Sequence, residues 1–210
     1  MKRALLVAGG DAPPASAILK RLPDIGFVCA ADSGLDTLAA WGLRADLAVG
    51  DFDSLADPGL LAACPEVMRH PAAKDDTDTE LGLAELRRRG WESVMLAGGG
   101  GGRLDHILAI RALFERPDSP DEWLTAFERV VLLRETREFS CAPGSTVSVF
   151  PLAGGSSGMG SEGLAWPLEG LVWDAGHFGL SNVASNGRFS ITPGSAPLLV
   201  IMPQNAEDAQ

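Results

Sequence analysis

Residues 4–116 alternate short apolar segments with segments of helix length, and this alternation limits the folds open to the chain. The apolar segments predict buried strands at residues 4–8, 27–31, 47–49, 67–70 and 93–97. The segments between them predict helices at residues 14–22, 35–41, 55–63, 78–89 and 104–116. This spacing favours an α/β domain with a doubly wound, mostly parallel sheet and helices on both faces.

The composition changes after residue 116, where residues 117–121 form a linker rich in proline and acid. The remainder predicts short strands at residues 130–133, 146–150, 163–167, 188–192 and 198–202. Glycine and proline turns separate them, which is typical of a β-sandwich or barrel-like domain. We therefore expect an α/β domain at residues 1–120 and an all-β domain at residues 121–210. Residues 154–163 (GGSSGMGSEG) are interpreted as either a mobile loop or a long turn.

The charge and cysteine content exclude several classes of protein. A formal net charge of −11 argues against a surface for nucleic acid or anionic membrane. The apolar run at residues 4–10 is too short to span a membrane and predicts a first strand instead. The three cysteines are far apart and lack a C-x-x-C pair, which fits a protein of the reducing cytoplasm without a disulfide scaffold.

Polar clusters follow the predicted strands of the first half. They comprise residues 9–11 (GGD), 32–34 (DSG), 50–54 (GDFDS), 74–78 (KDDTD) and 98–105 (GGGGGRLD). Ligands of open parallel sheets bind beyond the carboxyl ends of the strands. The sequence therefore predicts a ligand site at this edge.

Asp51 and Asp53 flank Phe52 at the end of a predicted strand. Side chains alternate at a strand end, so we expect the two carboxylates to share one face and Phe52 to turn into the core. Two ionised carboxylates on one face repel each other unless a cation lies between them or one is protonated. Oxygen ligands without histidine or cysteine favour Mg²⁺. A solvated strand end with incidental acids is the alternative interpretation.

The segment after Lys74 combines a helix start with an excess of acid. Thr77 and Glu80 form a capping-box pattern, which predicts that a helix begins here. Three acids lie at this start: Asp75, Asp76 and Asp78. One acid would complement the helix dipole, so three indicate an acidic site around a metal. Lys74 is a candidate phosphate contact.

Five consecutive glycines, residues 98–102, precede Arg103 and a predicted helix. Glycines let a backbone approach a ligand and direct its N–H groups at phosphate. The run matches neither G-x-G-x-x-G nor the P-loop pattern. Arg103 offers a guanidinium to phosphate and Asp105 a further carboxylate. His106 is interpreted as either a buried, satisfied side chain or a catalytic one, and Asp32 could be only a helix N-cap.

Taken in order, these motifs resemble the signature of the thiamin pyrophosphokinase family. The matching segments are residues 31–34 (ADSG), 45–46 (AD) with 50–54 (GDFDS), 74–80 (KDDTDTE) and 101–106 (GGRLDH). Residues 179–182 (GLSN) resemble the family's thiamin-side Ser-Asn motif. The resemblance covers residues 4 to about 202, essentially the whole chain.

The resemblance implies an enzyme that transfers pyrophosphate from ATP to the hydroxyl of thiamin, giving thiamin diphosphate and AMP. It implies Mg²⁺ as the cofactor and ATP and thiamin as substrates. It also implies an N-terminal nucleotide-binding α/β domain and a C-terminal β-sandwich that binds thiamin and forms a homodimer.

The resemblance also implies roles for individual residues. The metal ligands and catalytic acids would be Asp51, Asp53 and Asp78. The ATP contacts would be Asp32, Ser54, Lys74, Asp75, Thr77, Gly101, Gly102, Arg103, Asp105 and His106. The thiamin contacts would be Ser181 and Asn182.

Two positions depart from the family pattern: Ser33, where the family often has glycine, and Val183, where it often has glutamate. Val183 leaves another acceptor alcohol, such as a hydroxymethylpterin, as an alternative. A non-catalytic nucleotide-binding module is a second alternative.

Overall fold

The computed structural model describes residues 3–209, which form two compact units that divide between Ala126 and Phe127. The sequence placed the division after residue 120. Residues 121–126 stay with the first unit, since strand β6 (Glu122–Leu124) pairs in parallel with β5 (Ser93–Ala97).

The first unit contains a parallel sheet with the strand order β6-β5-β1-β2-β3-β4. Its other strands are β1 (Arg3–Ala8), β2 (Ile25–Ala31), β3 (Leu47–Gly50) and β4 (Glu66–Arg69). Its α-helices are α1 (Ala15–Leu19), α2 (Gly34–Ala40), α3 (Asp78–Arg88) and α4 (Leu104–Leu113). Short 3₁₀ helices cover Leu22–Asp24 and Pro58–Ala63.

The side chains of β1 alternate between two apolar layers. Leu5 belongs to the same core cluster as Leu38 of α2. Leu6 points the opposite way, toward α3, where a Cβ added at Gly82 would lie 2.8 Å from its Cδ1 atom. Glycine at position 82 therefore lets α3 approach the sheet closely, and both faces of the sheet are covered.

Three of the predicted helices differ from expectation by three or more residues or in type, and the one predicted at residues 104–116 ends at Leu113. The helix predicted at residues 14–22 is limited to Ala15–Leu19. The segment predicted as a helix at residues 55–63 forms the 3₁₀ helix Pro58–Ala63. Asp57 accepts a hydrogen bond from Gly59 N–H and Pro58 follows it, so a new start lies inside the predicted helix.

The second unit is all-β. One sheet has the order β13-β9-β15-β7, and a second has the order β11-β14-β8-β16, beside a β10–β12 pair. The strands of the first sheet are β7 (Glu128–Leu133), β9 (Ser145–Pro151), β13 (Gly179–Ala184) and β15 (Leu198–Pro203). The others are β8 (Arg137–Ser140), β10 (Ser156–Ser157), β11 (Gly160–Glu162), β12 (Val172–Trp173), β14 (Arg188–Thr192) and β16 (Glu207–Asp208). The α/β plus β-sandwich-like fold class is confirmed.

Two expectations for this unit are wrong in detail. Residues 163–167 are not a strand, since only Leu164 forms an isolated bridge, to Ala184. Residues 154–163 are not one long turn, because they carry β10 and β11. Met159 between these strands is buried in the core of the unit. Within residues 3–209, no helix is long and apolar enough to cross a membrane.

Candidate active site

A cleft of about 670 Å³ lies beyond the carboxyl ends of the strands of the first unit. The predicted site residues that line it are Asp32, Asp51, Ser54, Lys74, Thr77, Asp78, Gly101, Gly102, Arg103 and His106. Asp53, Asp75 and Asp105 are not among its lining residues. The parallel topology therefore brings four separate sequence motifs to one cavity.

Three carboxylates converge in this cleft. Asp32, Asp51 and Asp78 each place an oxygen atom within 4.8 Å of the other two. Asp32 follows β2 in a left-handed backbone conformation with φ of 47°. Gly50 makes the approach possible, because a Cβ there would lie 3.2 Å from Asp78 Cγ and 3.3 Å from Asp32 Cα. A larger residue at position 50 would push two of the three acids apart.

Two oxygens of this cluster lack hydrogen-bond donors among residues 3–209. Asp32 Oδ1 and Asp78 Oδ1 are both buried without such a partner. Buried carboxylate oxygens are costly unless a donor or cation satisfies them. Three converging oxygen ligands suit Mg²⁺ better than zinc, so the residues present fit the cation that the sequence predicted.

Lys74 is the positive charge that contacts this cluster. Its Nζ lies 3.0 Å from Asp51 Oδ2 and 3.2 Å from Asp78 Oδ1, and it donates a hydrogen bond to Pro71 O at 3.1 Å. The contact with Asp78 is an ion pair without hydrogen-bond geometry, which is why Asp78 Oδ1 counts as unsatisfied.

The pKa values of these groups follow their surroundings. The hydrogen bond from Lys74 lowers the pKa of Asp51, whereas burial raises the pKa of Asp78. Burial acts to lower the pKa of Lys74, but its hydrogen bond to Asp51 and its ion pair with Asp78 outweigh this effect and raise the pKa. Lys74 is therefore firmly held in its charged form.

Asp53 lies beside this cluster rather than in it. Strand β3 ends at Gly50, and Phe52 has a φ of 64°, so strand alternation does not continue through residues 51–53. Phe52 is buried as expected, but Asp53 is exposed, and its N–H donates to Asp51 Oδ1 at 3.2 Å. The negative charge of Asp51 raises the pKa of Asp53. Its role as a metal ligand stays a prediction.

Two hydrogen-bonding side chains support the cluster in ways that the sequence did not reveal. Ser54, predicted as an ATP contact, donates a short hydrogen bond from Oγ to Asp32 Oδ2. Asp36 of α2 accepts hydrogen bonds from the backbone N–H of Ala56 at 2.8 Å and of Asp57 at 3.2 Å. Asp36 thus fixes the loop that carries Ser54.

The glycine run forms the opposite wall of the cleft. Four of its five members have positive φ, with values of 88°, 71°, 66° and 63° at residues 98, 99, 101 and 102. Gly100 exchanges two backbone hydrogen bonds with Asp11, at 2.7 and 3.1 Å. A Cβ at Gly101 would lie 2.1 Å from Asp11 Oδ2 and would strain a backbone with positive φ, so glycine is favoured at that position. Asp11 is a cleft residue that the sequence marked only as part of a polar cluster.

The start of α4 presents charge to solvent at the rim of the cleft. Arg103 Nη2 lies 2.5 Å from Asp105 Oδ2, and the two side chains are 71% and 63% exposed. Of the two interpretations of His106, the buried one is wrong, because this side chain is exposed.

The capping box of Thr77 and Glu80 at the start of α3 is confirmed. Asp75 is exposed before this helix.

Ser181 and Asn182 lie on β13 of the second unit. Ser181 is exposed with a φ of 57°, and its N–H donates to Ser148 Oγ at 3.1 Å. Asn182 is buried, and its side chain is hydrogen-bonded to backbone groups of Trp166 and Val183. Their assignment to thiamin stays a prediction.

Asp32 was not a predicted oxygen ligand of the metal, because the sequence does not reveal its backbone conformation.

Comparison with known proteins relates the first half of the chain to a known catalytic domain. The model of the thiamin pyrophosphokinase catalytic domain matches residues 20–121. No curated protein sequence matches the chain.

Solved structures share the fold over nearly the whole chain. Thiamin pyrophosphokinase from Geobacillus thermodenitrificans is 25% identical with a TM-score of 0.77, over 96% of this chain and 97% of that one. The enzyme from Bacillus subtilis is 22% identical with a TM-score of 0.81, over 97% and 100%. The enzyme from Candida albicans is 15% identical with a TM-score of 0.68, over 96% and 89%. Residues 20–121 therefore match the catalytic domain of the thiamin pyrophosphokinase family, and the chain shares the fold of these enzymes.

Proposed function

We propose that this chain transfers the pyrophosphoryl group of ATP to the hydroxyl of thiamin, giving thiamin diphosphate and AMP. The observation that carries the proposal is the cluster of Asp32, Asp51 and Asp78 in a cleft whose other wall is a glycine loop. The match of residues 20–121 to the thiamin pyrophosphokinase catalytic domain supports the reaction class.

The acidic cluster provides the metal site of this proposal. Asp32 and Asp51 would hold Mg²⁺ together with Asp78, and Asp53 is the nearby acid that could complete the set. When bound, Mg²⁺ supplies positive charge that neutralises the phosphate oxygens. Without this charge, the phosphates of ATP would be repelled by the clustered carboxylates.

The glycine loop and the cations provide the phosphate site. Gly101 and Gly102, in left-handed conformations, leave their backbone open to a phosphate group in the cleft. Lys74 and Arg103 supply positive charge on the two sides. Phosphoryl transfer is accelerated mainly by positioning and by such charge stabilisation.

The acceptor hydroxyl attacks the β-phosphorus of ATP, and AMP departs as the leaving group. The hydroxyl must lose its proton to a nearby base. We assign this proton to the carboxylate of Asp78, which lines the cleft and whose pKa is raised by burial.

The reaction is tested by AMP release from Mg-ATP with thiamin or a hydroxymethylpterin as acceptor. We expect thiamin-dependent AMP and the formation of thiamin diphosphate. Asp51→Asn should lower kcat at least about 100-fold, equivalent to about 2.7 kcal/mol in the barrier. Asp57→Asn is the matched control, since it removes a charge outside the cleft lining. Pterin-dependent AMP would change the acceptor, and ATP binding without any turnover would favour the non-catalytic module.

We also propose that the working protein is a homodimer. Several large apolar side chains of the second unit are exposed: Trp166, Val172, Phe178 and Leu180. Exposed apolar side chains that form a contiguous patch mark protein–protein contact surfaces. Sedimentation equilibrium should give twice the mass of one chain, and a monomer at micromolar concentration would contradict the proposal.

A further inference from the structure

The ammonium of Lys74 contacts the acids that the proposed function gives to a divalent cation. Its Nζ lies 3.0 Å from Asp51 and 3.2 Å from Asp78, and its side chain is 14% exposed. Two of the three clustered carboxylates are therefore already paired with a positive charge. The third, Asp32, keeps Oδ1 free of any donor among the residues described.

The charge balance of the cluster shows why this pairing matters. Three ionised carboxylates so close together repel one another strongly, and one lysine neutralises only part of that charge. A divalent cation that entered the cluster would meet the ammonium at the same oxygens, and two cations at this separation repel. Lysine and metal ion therefore compete for Asp51 and Asp78.

The position of Lys74 allows its ammonium to contact a second set of anionic oxygens, those of a phosphate in the cleft. Lys74 and Gly101 of the glycine loop both line the cleft, and a lysine side chain is a long, flexible stem with a compact charge. A polyphosphate held in that cleft would offer the ammonium anionic oxygens in place of the two carboxylates.

We propose that Lys74 is an exchangeable internal counter-ion, which holds the acids together without metal and moves to the phosphates when metal and nucleotide bind. The phosphate half of this inference rests on the proposed function, because it requires a polyphosphate in the cleft. It follows that the free protein binds divalent cations weakly and that nucleotide strengthens their binding beyond direct coordination.

The test is the affinity for Mn²⁺, followed by the electron paramagnetic resonance of the free ion, with and without a non-hydrolysable ATP analogue. Without nucleotide, Lys74→Met should bind Mn²⁺ at least tenfold more tightly than the wild-type protein. Lys74→Arg keeps the charge and should remain within threefold of wild type. Lys20→Met removes an exposed lysine outside the cleft lining and should have no effect.

With the ATP analogue bound, the difference between Lys74→Met and wild type should shrink to less than threefold, because the lysine of the wild type has left the acids. Equal or weaker Mn²⁺ binding by Lys74→Met without nucleotide would overturn the inference. A difference that persists unchanged with the analogue would also overturn it. If thermal melting shows that Lys74→Met does not fold, Lys74→Gln serves instead, since it removes the charge but keeps a hydrogen-bond donor.

The outcomes separate this inference from the proposed function. If the wild-type protein releases AMP with thiamin but Lys74→Met has unchanged Mn²⁺ affinity, the proposed function is supported and the counter-ion role of Lys74 is contradicted. The opposite outcome is that Lys74→Met binds Mn²⁺ more tightly than wild type only without the analogue, while the wild-type protein makes no AMP with thiamin. That result supports the counter-ion role of Lys74 and contradicts the proposed reaction.

Discussion

Asn182 and Trp166 are joined by two hydrogen bonds that use both ends of the asparagine carboxamide. Asn182 Nδ2 donates to the carbonyl oxygen of Trp166 at 2.6 Å, and Trp166 N–H donates to Asn182 Oδ1 at 3.1 Å. Val183 N–H donates to the same oxygen at 2.8 Å. The side chain thus mimics a strand partner for Trp166, and it anchors the segment before Pro167 to β13.

We therefore expect Asn182→Ala to destabilise the fold, because it removes the hydrogen bonds of part-buried backbone groups at Trp166 and Val183. The loss should be about 1–3 kcal/mol in the free energy of unfolding, measured by urea denaturation. Ser181→Ala, an exposed neighbour, should change stability by less than about 0.5 kcal/mol. An unchanged urea midpoint for Asn182→Ala would show that the hydrogen bonds are not needed. Ser181→Ala is then the cleaner test of thiamin binding, and it should raise the KM for thiamin alone.

Ser54 provides a second prediction, because it orients a proposed metal ligand. Its hydroxyl donates to Asp32 Oδ2, while Asp32 Oδ1 has no donor. Loss of a hydrogen bond that orients a ligand typically costs about 10- to 100-fold in metal affinity. Ser54→Ala should lower Mn²⁺ affinity by at least tenfold, whereas Ser54→Thr, which keeps the hydroxyl, should retain it.

The same experiment separates two roles for Ser54. The sequence predicted that this residue contacts ATP. If Ser54→Ala raises the KM for ATP but leaves Mn²⁺ affinity unchanged, that direct contact is favoured over support of Asp32.

The sequence located the site through topology rather than through side-chain geometry. Parallel strands end at one edge of the sheet, so polar residues that follow β2, β3 and β5 had to meet there. The convergence of Asp32 with Asp51 could not be derived in this way, because it depends on positive φ at residues 32 and 52. The support from Asp36 was equally hidden, since it requires the conformation of the loop after β3.

The second unit was harder to predict because its strands are short and partly exposed. Strand β13 has mostly partly or fully exposed residues along Gly179–Ala184, so no continuous apolar run marked it. Strand β8, Arg137–Ser140, has only Phe139 fully buried. Hydrophobic pattern detects strands through buried faces, and it fails where few residues face the core.

Glu85 predicts how stability responds to acid. It is buried near the end of α3 and accepts hydrogen bonds at 2.6–2.7 Å from Arg88 and Arg89. The hydrogen bond from Arg88 is the main reason that its pKa falls from 4.5 to about 2. A lowered carboxyl pKa stabilises the folded state above the unfolded value of 4.5, and this contribution is lost as pH falls toward 2.

Glu85→Gln should therefore lower the free energy of unfolding at pH 7 by about 2 kcal/mol. The difference from wild type should shrink between pH 4.5 and 2, where the wild-type carboxyl becomes protonated. Glu92→Gln, an exposed acid, is the control and should show little difference at either pH. A deficit in Glu85→Gln that is independent of pH would assign its role to packing instead.

Arg103 tests the nucleotide side of the proposal. Its side chain is 71% exposed and pairs with Asp105 at the start of α4, at the rim of the cleft. A guanidinium can hold two phosphate oxygens in a fixed fork, whereas the ammonium of lysine is a single point of charge. Arg103→Lys should therefore raise the KM for ATP about tenfold, a loss of about 1.4 kcal/mol, and leave the KM for thiamin unchanged. Arg111 lies further along α4 and pairs with Glu115, so Arg111→Lys is the matched control. Because Arg103 is so exposed, its replacement should not move the melting temperature. If Arg103→Lys keeps the ATP kinetics of the wild type, Arg103 does not contact the nucleotide and only pairs with Asp105 at the start of α4.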